Sequence, residues 1–511
     1  MRYLIGIDIG TSGTKTILID ESGAVLARAM QEYRLYTPHP SWSEQDPLDW
    51  WGAVCATTRT VLRQSGVNAS DVTAVGLSGQ MHGSVFLDSD RAVLRPAILW
   101  NDQRTAEECA WITEQVGADR LRELISNPVL TGFTAGKIVW LRNHEPETYA
   151  RVRHVLLPKD YIRLKLTDAL ATEVSDASGT ALFDVTHRRW SDEMLAAADI
   201  PRAWMPACYE SPEISGRITE RASAETGLAA GTPVVGGGGD QAAGAVGNGI
   251  VESGIISSTI GTSGVVFAYS DTPAVDPAMR LHTFCHAVPG RWHTMGVMLS
   301  AGGTLQWFRD QFCQQEQSIA GALGRDPYEL ISAEAGGIPA GCEGLVFLPY
   351  LTGERTPYPD PNARGVLFGI SRRTSRASVA RSIMEGVAFG LRDSLEIMKQ
   401  IGVPIRQVRA SGGGARSALW RQILTDVTGE PHVTTNSDEG PAYGVAILAG
   451  VGGGLFDSVE SACRNLIQTR EATEPNPAAS ARYDRLYRIY RQLYAHLQSD
   501  FADLAQAGAE G

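Results

Sequence analysis

Apolar residues open the chain in short blocks divided by glycine turns. Leu4-Ile5-Gly6-Ile7 and Ile17-Leu18-Ile19 flank Gly10-Thr11-Ser12-Gly13, and Ala24 to Ala29 reads as a third strand after Glu21-Ser22-Gly23. The pattern then turns helical, with Leu48, Trp51, Val54, Thr58, Val61 and Leu62 on one face. Asp46 suits the N-cap, Pro47 the first helical position, Asp49 the positive end and Gly66 the stop. Val72 to Leu77 follows as a buried strand. Strand, strand, strand, helix, strand describes a mixed sheet with a helical crossover, which places the chain in the α/β class. Near the other end, Tyr483, Leu486, Tyr490, Leu493, Leu497, Phe501 and Leu504 alternate three and four apart. That spacing predicts an amphipathic helix docked on the body of the protein.

The opening motif returns later. Thr259-Ile260-Gly261-Thr262-Ser263-Gly264 repeats Asp8-Ile9-Gly10-Thr11-Ser12-Gly13 at five of six positions, close to half a chain further on. Both copies lie between strand-like runs, which points to a duplicated fold. The expected division is near residue 245, giving units 1–245 and 246–511. At the one mismatch a carboxylate stands in the first copy and a hydroxyl in the second.

Composition narrows the function. The 511 residues are 43% hydrophobic and 20% charged, an ordinary globular balance, and 54 glycines predict many tight turns. The net charge of −12 disfavours a nucleic-acid partner, and phosphates would need backbone donors or a metal. Seven cysteines stand singly without a CxxC pair, as in a reduced intracellular chain. No apolar run reaches the roughly 18–20 residues of a membrane span, and Asp8 interrupts the first apolar stretch. A cytoplasmic protein without a membrane partner is expected.

Three glycine loops could carry chemistry: the two copies above and Ser411-Gly412-Gly413-Gly414-Ala415 after an apolar run. Backbone N–H groups and hydroxyls in such turns suit phosphate oxygens, although each loop alone also reads as a tight turn. Neither G-x-x-x-x-G-K-[ST] nor HExxH is present; Gly132 to Lys137 has the wrong spacing. Asp240 follows four glycines and precedes Gln241 and a helical run. It reads either as a helix cap or as a carboxylate that takes a proton from a substrate hydroxyl. Asp8 reads either as a strand-end aspartate or as a Mg²⁺ ligand.

Together these pieces resemble the FGGY carbohydrate kinases, which phosphorylate glycerol, pentuloses and related polyols. The resemblance runs from Ile5 to about Leu497. Its motifs include Gly6 to Ser12, Trp42 to Pro47, Gln80-Met81-His82-Gly83, Leu94 to Asp102 and Leu156 to Tyr161. Others are Gly237-Gly238-Gly239-Asp240, Gly261 to Gly264, Phe347 to Leu351, Gly353-Glu354-Arg355-Thr356-Pro357 and Gly412 to Ala415. The Gln-Met-His and Trp-Asn-Asp segments resemble the xylulose branch. The resemblance implies two RNase-H-like domains of the actin-like ATPase type, with ATP and a sugar in the central cleft. It makes Asp240 the general base and Asp8 the carboxylate supporting Mg²⁺. Met81, His82, Trp100, Asp102 and Gln241 fall on the sugar side. Thr11, Ser12, Thr262, Gly302, Gln306, Gly413 and Gly414 fall on the ATP side. A homodimer is the default assembly. Gly136 stands where proline is expected, and Ala418 where some relatives place asparagine near adenine. Rival readings are a kinase for ribulose or another polyol, an actin-like nucleotide switch, and a silent sugar sensor. Retention of both aspartates argues against the sensor.

Overall fold

The opening blocks form the hairpin they predict: β1 (Tyr3–Ile9) pairs antiparallel with β2 (Gly13–Asp20), and β3 (Val25–Glu32) extends it. The computed structural model describes residues 1–437, 439–470 and 472–509. In α1 (Pro47–Ser65) the Asp46 carboxylate accepts the Leu48 N–H at 2.9 Å. Gly66 ends the helix at φ 68°, a conformation that spares only glycine the Cβ penalty. One residue departs from the predicted face. Leu48 is 56% exposed, and Trp50 takes the fully buried position. β4 (Val72–Gly79) then returns parallel to β1. With β5 (Ile214–Arg217) and β6 (Pro233–Val235) the sheet runs β5-β6-β4-β1-β2-β3, and the short β7 (Gly238–Gly239) lies beside β4.

The second sheet repeats this plan. β8 (Gly254–Ile260) and β9 (Gly264–Ser270) form a hairpin, followed by β10 (His282–Cys285) and β11 (Trp292–Met298). β12 (Ile405–Ser411) runs parallel to β8, as β4 does to β1. With β13 (His432–Val433) the order is β10-β11-β9-β8-β12-β13. The sequence echo therefore marks equivalent hairpins in two sheets of one plan.

The helices that matter for the site are α2 (Thr134–His144), α3 (Pro158–Thr167), α4 (Asp240–Gly247), α5 (Gly302–Phe312), α6 (Arg376–Gln400), α7 (Ala418–Thr428), α8 (Pro441–Gly452) and α9 (Pro477–Ala509). α8 belongs to the second half of the chain yet packs on β1 and β4 of the first sheet and against α4. Glycine permits this approach. A Cβ at Gly6 or Gly76 would overlap the carbonyl oxygens of Ala442 and Val445, and one at Gly444 would overlap that of Ala243. Chain order and packing thus diverge at α8, and residues from both halves fix the helix that begins at Asp240.

α9 docks as its periodicity predicts, mainly through tyrosines. Tyr483 and Tyr490 are fully buried, and their hydroxyls reach Glu385 at 2.7 Å and Tyr350 at 3.0 Å. Tyr487 and Tyr494 are buried as well, whereas Leu504 is exposed. The predicted stripe ran one turn too far and omitted two amphipathic aromatics whose hydroxyls find acceptors on Asp393 and Asp360. Among the described residues no helix is long and apolar enough to cross a membrane, and all seven cysteines are free.

Candidate active site

Asp8 lies near the end of β1, and the parallel register sets it beside Ser78 of β4. Its Oδ1 is buried and has no hydrogen-bond partner. Burial pushes its pKa up to about 6, against the pull of the Ser78 hydroxyl and the Lys15 ammonium. Lys15 itself pairs with Glu439, just before α8. An unsatisfied buried carboxylate oxygen is costly unless a ligand completes it.

Asp240 is the first residue of α4, but it is not the cap. Gly239 holds the N-cap position, without a side-chain cap bond. Asp240 instead keeps part of its surface open at the cleft. Burial raises its pKa to about 7, and the negative charge of Asp8 adds to the effect. The loop that delivers it is held from behind by buried charges. Arg163 of α3 donates to the carbonyls of Val235 and Gly236 at 2.6 and 2.5 Å. Gly239 N–H donates to Glu173 Oε1 and Ser175 Oγ at 3.2 and 3.1 Å. Lys159 sits within this group, 2.9 Å from both Asp160 and Asp176.

Met81 is buried and touches the same loop. The position of a Cβ at Gly239 lies 2.9 Å from Met81 Cγ. His82 is 8% exposed, stacks on Phe133 at 4.6 Å and adopts φ 69°. Its Nδ1 lies 2.6 Å from the Gly179 carbonyl, so Nδ1 donates and Nε2 presents a lone pair. Burial, then Lys137, holds its pKa well below the usual histidine value, and the ring is neutral. The remaining sugar-side candidates divide. Trp100 donates its indole N–H to Thr11 Oγ1 at 2.9 Å, and Thr11 Oγ1 donates to Gln80 Oε1 at 3.1 Å. The hydroxyl of Thr11 is therefore engaged by Trp100 and Gln80, although its sequence position predicts an ATP contact. Asp102 does not face the cleft. It is fully buried, and its carboxylate accepts from Ser43 N at 2.6 Å and from Arg104 Nε and Nη2 at 2.9 and 2.7 Å. Desolvated charge demands such pairing, so Asp102 braces the loop behind Trp100. Gly136 has a local reason too: a Cβ there would come within 2.7 Å of Cys109 Sγ and 3.0 Å of Thr105 Oγ1.

Two cavities meet at the third glycine loop. One, of about 850 Å³, runs from Asp240 and Gln241 past Thr259, Gly412 and Gly413 to Pro441 at the start of α8. The other, of about 950 Å³, is lined by Thr262, Gly302, Gln306, Gly413, Gly414 and Ala418. The second gathers every predicted ATP-side residue of the second half. Gly302 N–H donates to the Gly261 carbonyl at 2.8 Å, which fixes the start of α5 against the second hairpin. Ser12, at the tip of the first hairpin, is exposed.

Two models of the FGGY family of carbohydrate kinases match the chain: the N-terminal domain over residues 3–247 and the C-terminal domain over 256–453. The chain belongs to the FGGY family of carbohydrate kinases. The xylulose kinase of Escherichia coli (strain K12) is 41% identical over 96% of this chain and 99% of its own. The gluconokinase of Bacillus subtilis (strain 168) is 30% identical over 98% of each. The crystal structure of a xylulose kinase from Rhodospirillum rubrum superposes with a TM-score of 0.88 at 32% identity, covering 98% of this chain and 100% of that one.

For an FGGY kinase, several supporting residues escaped the sequence reading. Lys137 is fully buried, and its Nζ donates to the carbonyls of His82 at 2.8 Å and Gly132 at 2.7 Å. It ends the Gly132 to Lys137 segment that fails as a phosphate loop, and it holds the strained backbone at His82. Glu173 and Arg163 were missed because neither lies in a motif read for chemistry. Burial of five charged side chains in and around α3 is a three-dimensional fact; the Lys159-Asp160 pair in the Leu-Pro-Lys-Asp-Tyr segment was its only signal.

Proposed function

We propose that this kinase transfers the γ-phosphoryl group of ATP to the primary hydroxyl on C5 of D-xylulose, giving D-xylulose 5-phosphate and ADP. The observation that carries the mechanism is Asp240: a carboxylate open to the cleft, its pKa raised to about 7, on a rigidly held loop beside Met81. A base of that affinity accepts the hydroxyl proton near neutral pH. The substrate oxygen attacks the γ-phosphorus, the bond to the β,γ-bridging oxygen breaks, and ADP leaves with that electron pair. The Gly-Thr-Ser-Gly backbone of both hairpins presents N–H groups to the phosphate oxygens, and positioning with such donors supplies most of the catalysis. Gln306, Gly413 and Gly414 line the adenosine cavity, with Ala418 leaving adenine recognition chiefly to backbone.

The donor set fits Mg²⁺ arriving with the nucleotide. Asp8 offers an unpartnered oxygen, and no cluster of three or more His, Cys, Asp or Glu forms a dedicated cage among the described residues. When bound, Mg²⁺ supplies charge neutralisation on the transferred group, and Asp8 would hold it directly or through water. Xylulose is favoured over other acceptors by the Met81-His82 pair and by the high-coverage likeness to xylulose kinases. A cytoplasmic enzyme, active as a homodimer, completes this reading.

A coupled ADP-release assay over xylulose, ribulose, glycerol and gluconate tests it. ATP turnover should depend on added sugar and be fastest with xylulose. Sugar-independent hydrolysis would instead identify a nucleotide switch, and a preference for gluconate or ribulose would move the chain to another branch.

A further inference from the structure

The side chains of the Gly353-Glu354-Arg355-Thr356-Pro357 segment divide sharply. Glu354 is buried; its Oε1 accepts the N–H groups of Leu299 at 2.9 Å and Arg355 at 2.7 Å. Thr356 is buried and exchanges backbone and hydroxyl bonds with Val297 on β11, at 3.0 and 3.1 Å, while its hydroxyl donates to the Arg280 carbonyl. The residues on either side of Arg355 thus clamp the backbone to the second sheet.

Arg355 is treated differently. Among the described residues its side chain forms no ion pair and no hydrogen bond, although it is only partly exposed. A guanidinium carries five donors and no acceptor, and leaving it desolvated without partners is costly. It points across to the first half of the chain. The position of a Cβ at Gly132 lies 2.6 Å from the Trp100 carbonyl and 3.8 Å from Arg355 Nη2. Gly132 is also the residue whose carbonyl Lys137 ties to that of His82. Buried His82 and His282 both feel the Arg355 charge, and His282 Nε2 has no partner.

We propose that Arg355 is a sugar-binding residue supplied by the second half of the chain, donating to the ketose oxygens at C1 and C2. The order of contacts sets this polarity. Asp240 adjoins Gly239, Gly239 touches Met81, Met81 precedes His82, and Lys137 ties the His82 carbonyl to that of Gly132, beside Arg355 Nη2. The hydroxyl on C5 must reach Asp240, so the carbonyl end of a five-carbon ketose extends toward Arg355. Planar, forked donors suit a carbonyl and its neighbouring hydroxyl better than a point charge does. Because His82 and Arg355 come from different halves, the bound sugar also bridges them.

This inference rests on the ketose reading, so wild-type preference over the sugar panel is measured first and Arg355 is judged on the sugar it uses. Arg355→Gln should raise KM for that sugar by about 10- to 150-fold, the range for a lost charge-assisted hydrogen bond, with KM for ATP within about twofold of wild type. Arg355→Lys keeps the charge without the fork and should raise KM for the sugar several-fold. The kcat/KM preference for xylulose over its pentitol, which lacks the carbonyl, should shrink in both variants. Guanidinium ion should partly restore Arg355→Ala. Unchanged sugar KM and ketose-to-pentitol preference in folded variants, whatever their Tm, would overturn the proposal. If Gln and Ala variants fail to fold, an Arg355→Lys enzyme with wild-type KM and preference would overturn it equally.

Discussion

The two Gly-Thr-Ser-Gly hairpins share sequence, strand pairing and place in the sheet, yet they are finished differently. In the second, Thr259 Oγ1 hydrogen-bonds Ser411 Oγ on the parallel neighbour at 2.8 Å. In the first, the matching Asp8 lies beside Ser78, and its Oδ1 remains buried without a partner. The Thr of the turn diverges too. Thr11 is engaged by Trp100 and Gln80, whereas Thr262 is exposed on the wall of the cavity proposed for the nucleotide. One hairpin is self-satisfied and, on the proposed mechanism, serves as a phosphate cradle. The other keeps an unpartnered carboxylate oxygen and couples its turn to Trp100 and Gln80. On the proposed mechanism, the single mismatched position decides which copy supports a metal ion and perturbs the base.

The largest expected effect lies where that carboxylate acts, at Asp240. Asp240→Asn should lower kcat on the order of 10²- to 10⁴-fold while sugar binding survives. Near-normal turnover would place the base elsewhere. The raised pKa also fixes a stability sign. A carboxylate with a native pKa of about 7 binds its proton more tightly folded than unfolded, so it costs stability as pH rises from about 4 to 7. Tm of Asp240→Asn relative to wild type should therefore climb across that window, by about 1–3 °C, in the absence of ligands. The rate should show the opposite slope, with wild-type kcat/KM rising toward pH 7 as the base ionises.

Asp8→Thr is next, because it converts the first hairpin to the composition of the second. It should lower kcat by about 10- to 10³-fold and raise the Mg²⁺ concentration for half-maximal rate, with sugar KM little changed. It should also lower the pKa on the acid limb of kcat/KM, because Asp8 is one of the two causes that raise Asp240. A Mg²⁺ titration and pH profile matching wild type would remove the distinction drawn between the hairpins.

His82→Asn probes the side to which the first hairpin is coupled. Asparagine tolerates the positive φ at this position better than alanine does. Loss of the imidazole Nε2 acceptor should weaken sugar binding about five- to 150-fold, leave ATP affinity nearly unchanged and narrow the xylulose-to-ribulose preference. The lowered pKa predicts no titration of sugar KM by His82 around the ordinary histidine value in the wild type. A lowered Tm with an unchanged preference ratio would assign His82 to packing alone.

What was legible in the sequence was what is local. Both hairpins, the caps of α1 and the glycine run before Asp240 are short-range patterns, and the structure forms each of them. Relations between distant positions were hidden. Asp102 sits beside Trp100 in sequence and so reads as a wall residue. Only the fold shows that Ser43 and Arg104 consume its carboxylate. Thr11 and Trp100 meet across 89 positions, and Arg355 approaches Gly132 from the other half of the chain. Periodicity likewise named a helical face at α1 and α9 without locating its edges, which is why Leu48 and Leu504 are exposed while Trp50 and Tyr487 are buried.

The smallest effect belongs to the second hairpin, and it is the control for the comparison. Thr259→Val keeps the β-branched shape and strand propensity but removes the hydroxyl bonded to Ser411. Ser411 retains part of its surface, so water can replace the lost partner and the cost should stay near 0.5–1.5 kcal/mol of stability. Because Thr259 bears no charge and its hydroxyl is already satisfied, kcat and the Mg²⁺ requirement should move less than about threefold. The double variant Asp8→Thr with Thr259→Val should then show the activity loss of the first change and the stability loss of the second, additively, since among the described residues Asp8 and Thr259 share no side-chain partner. A loss of kcat from Thr259→Val as large as that from Asp8→Thr would mean that the hairpins act as one unit. The difference at the single mismatched position would then not be what separates cradle from charge.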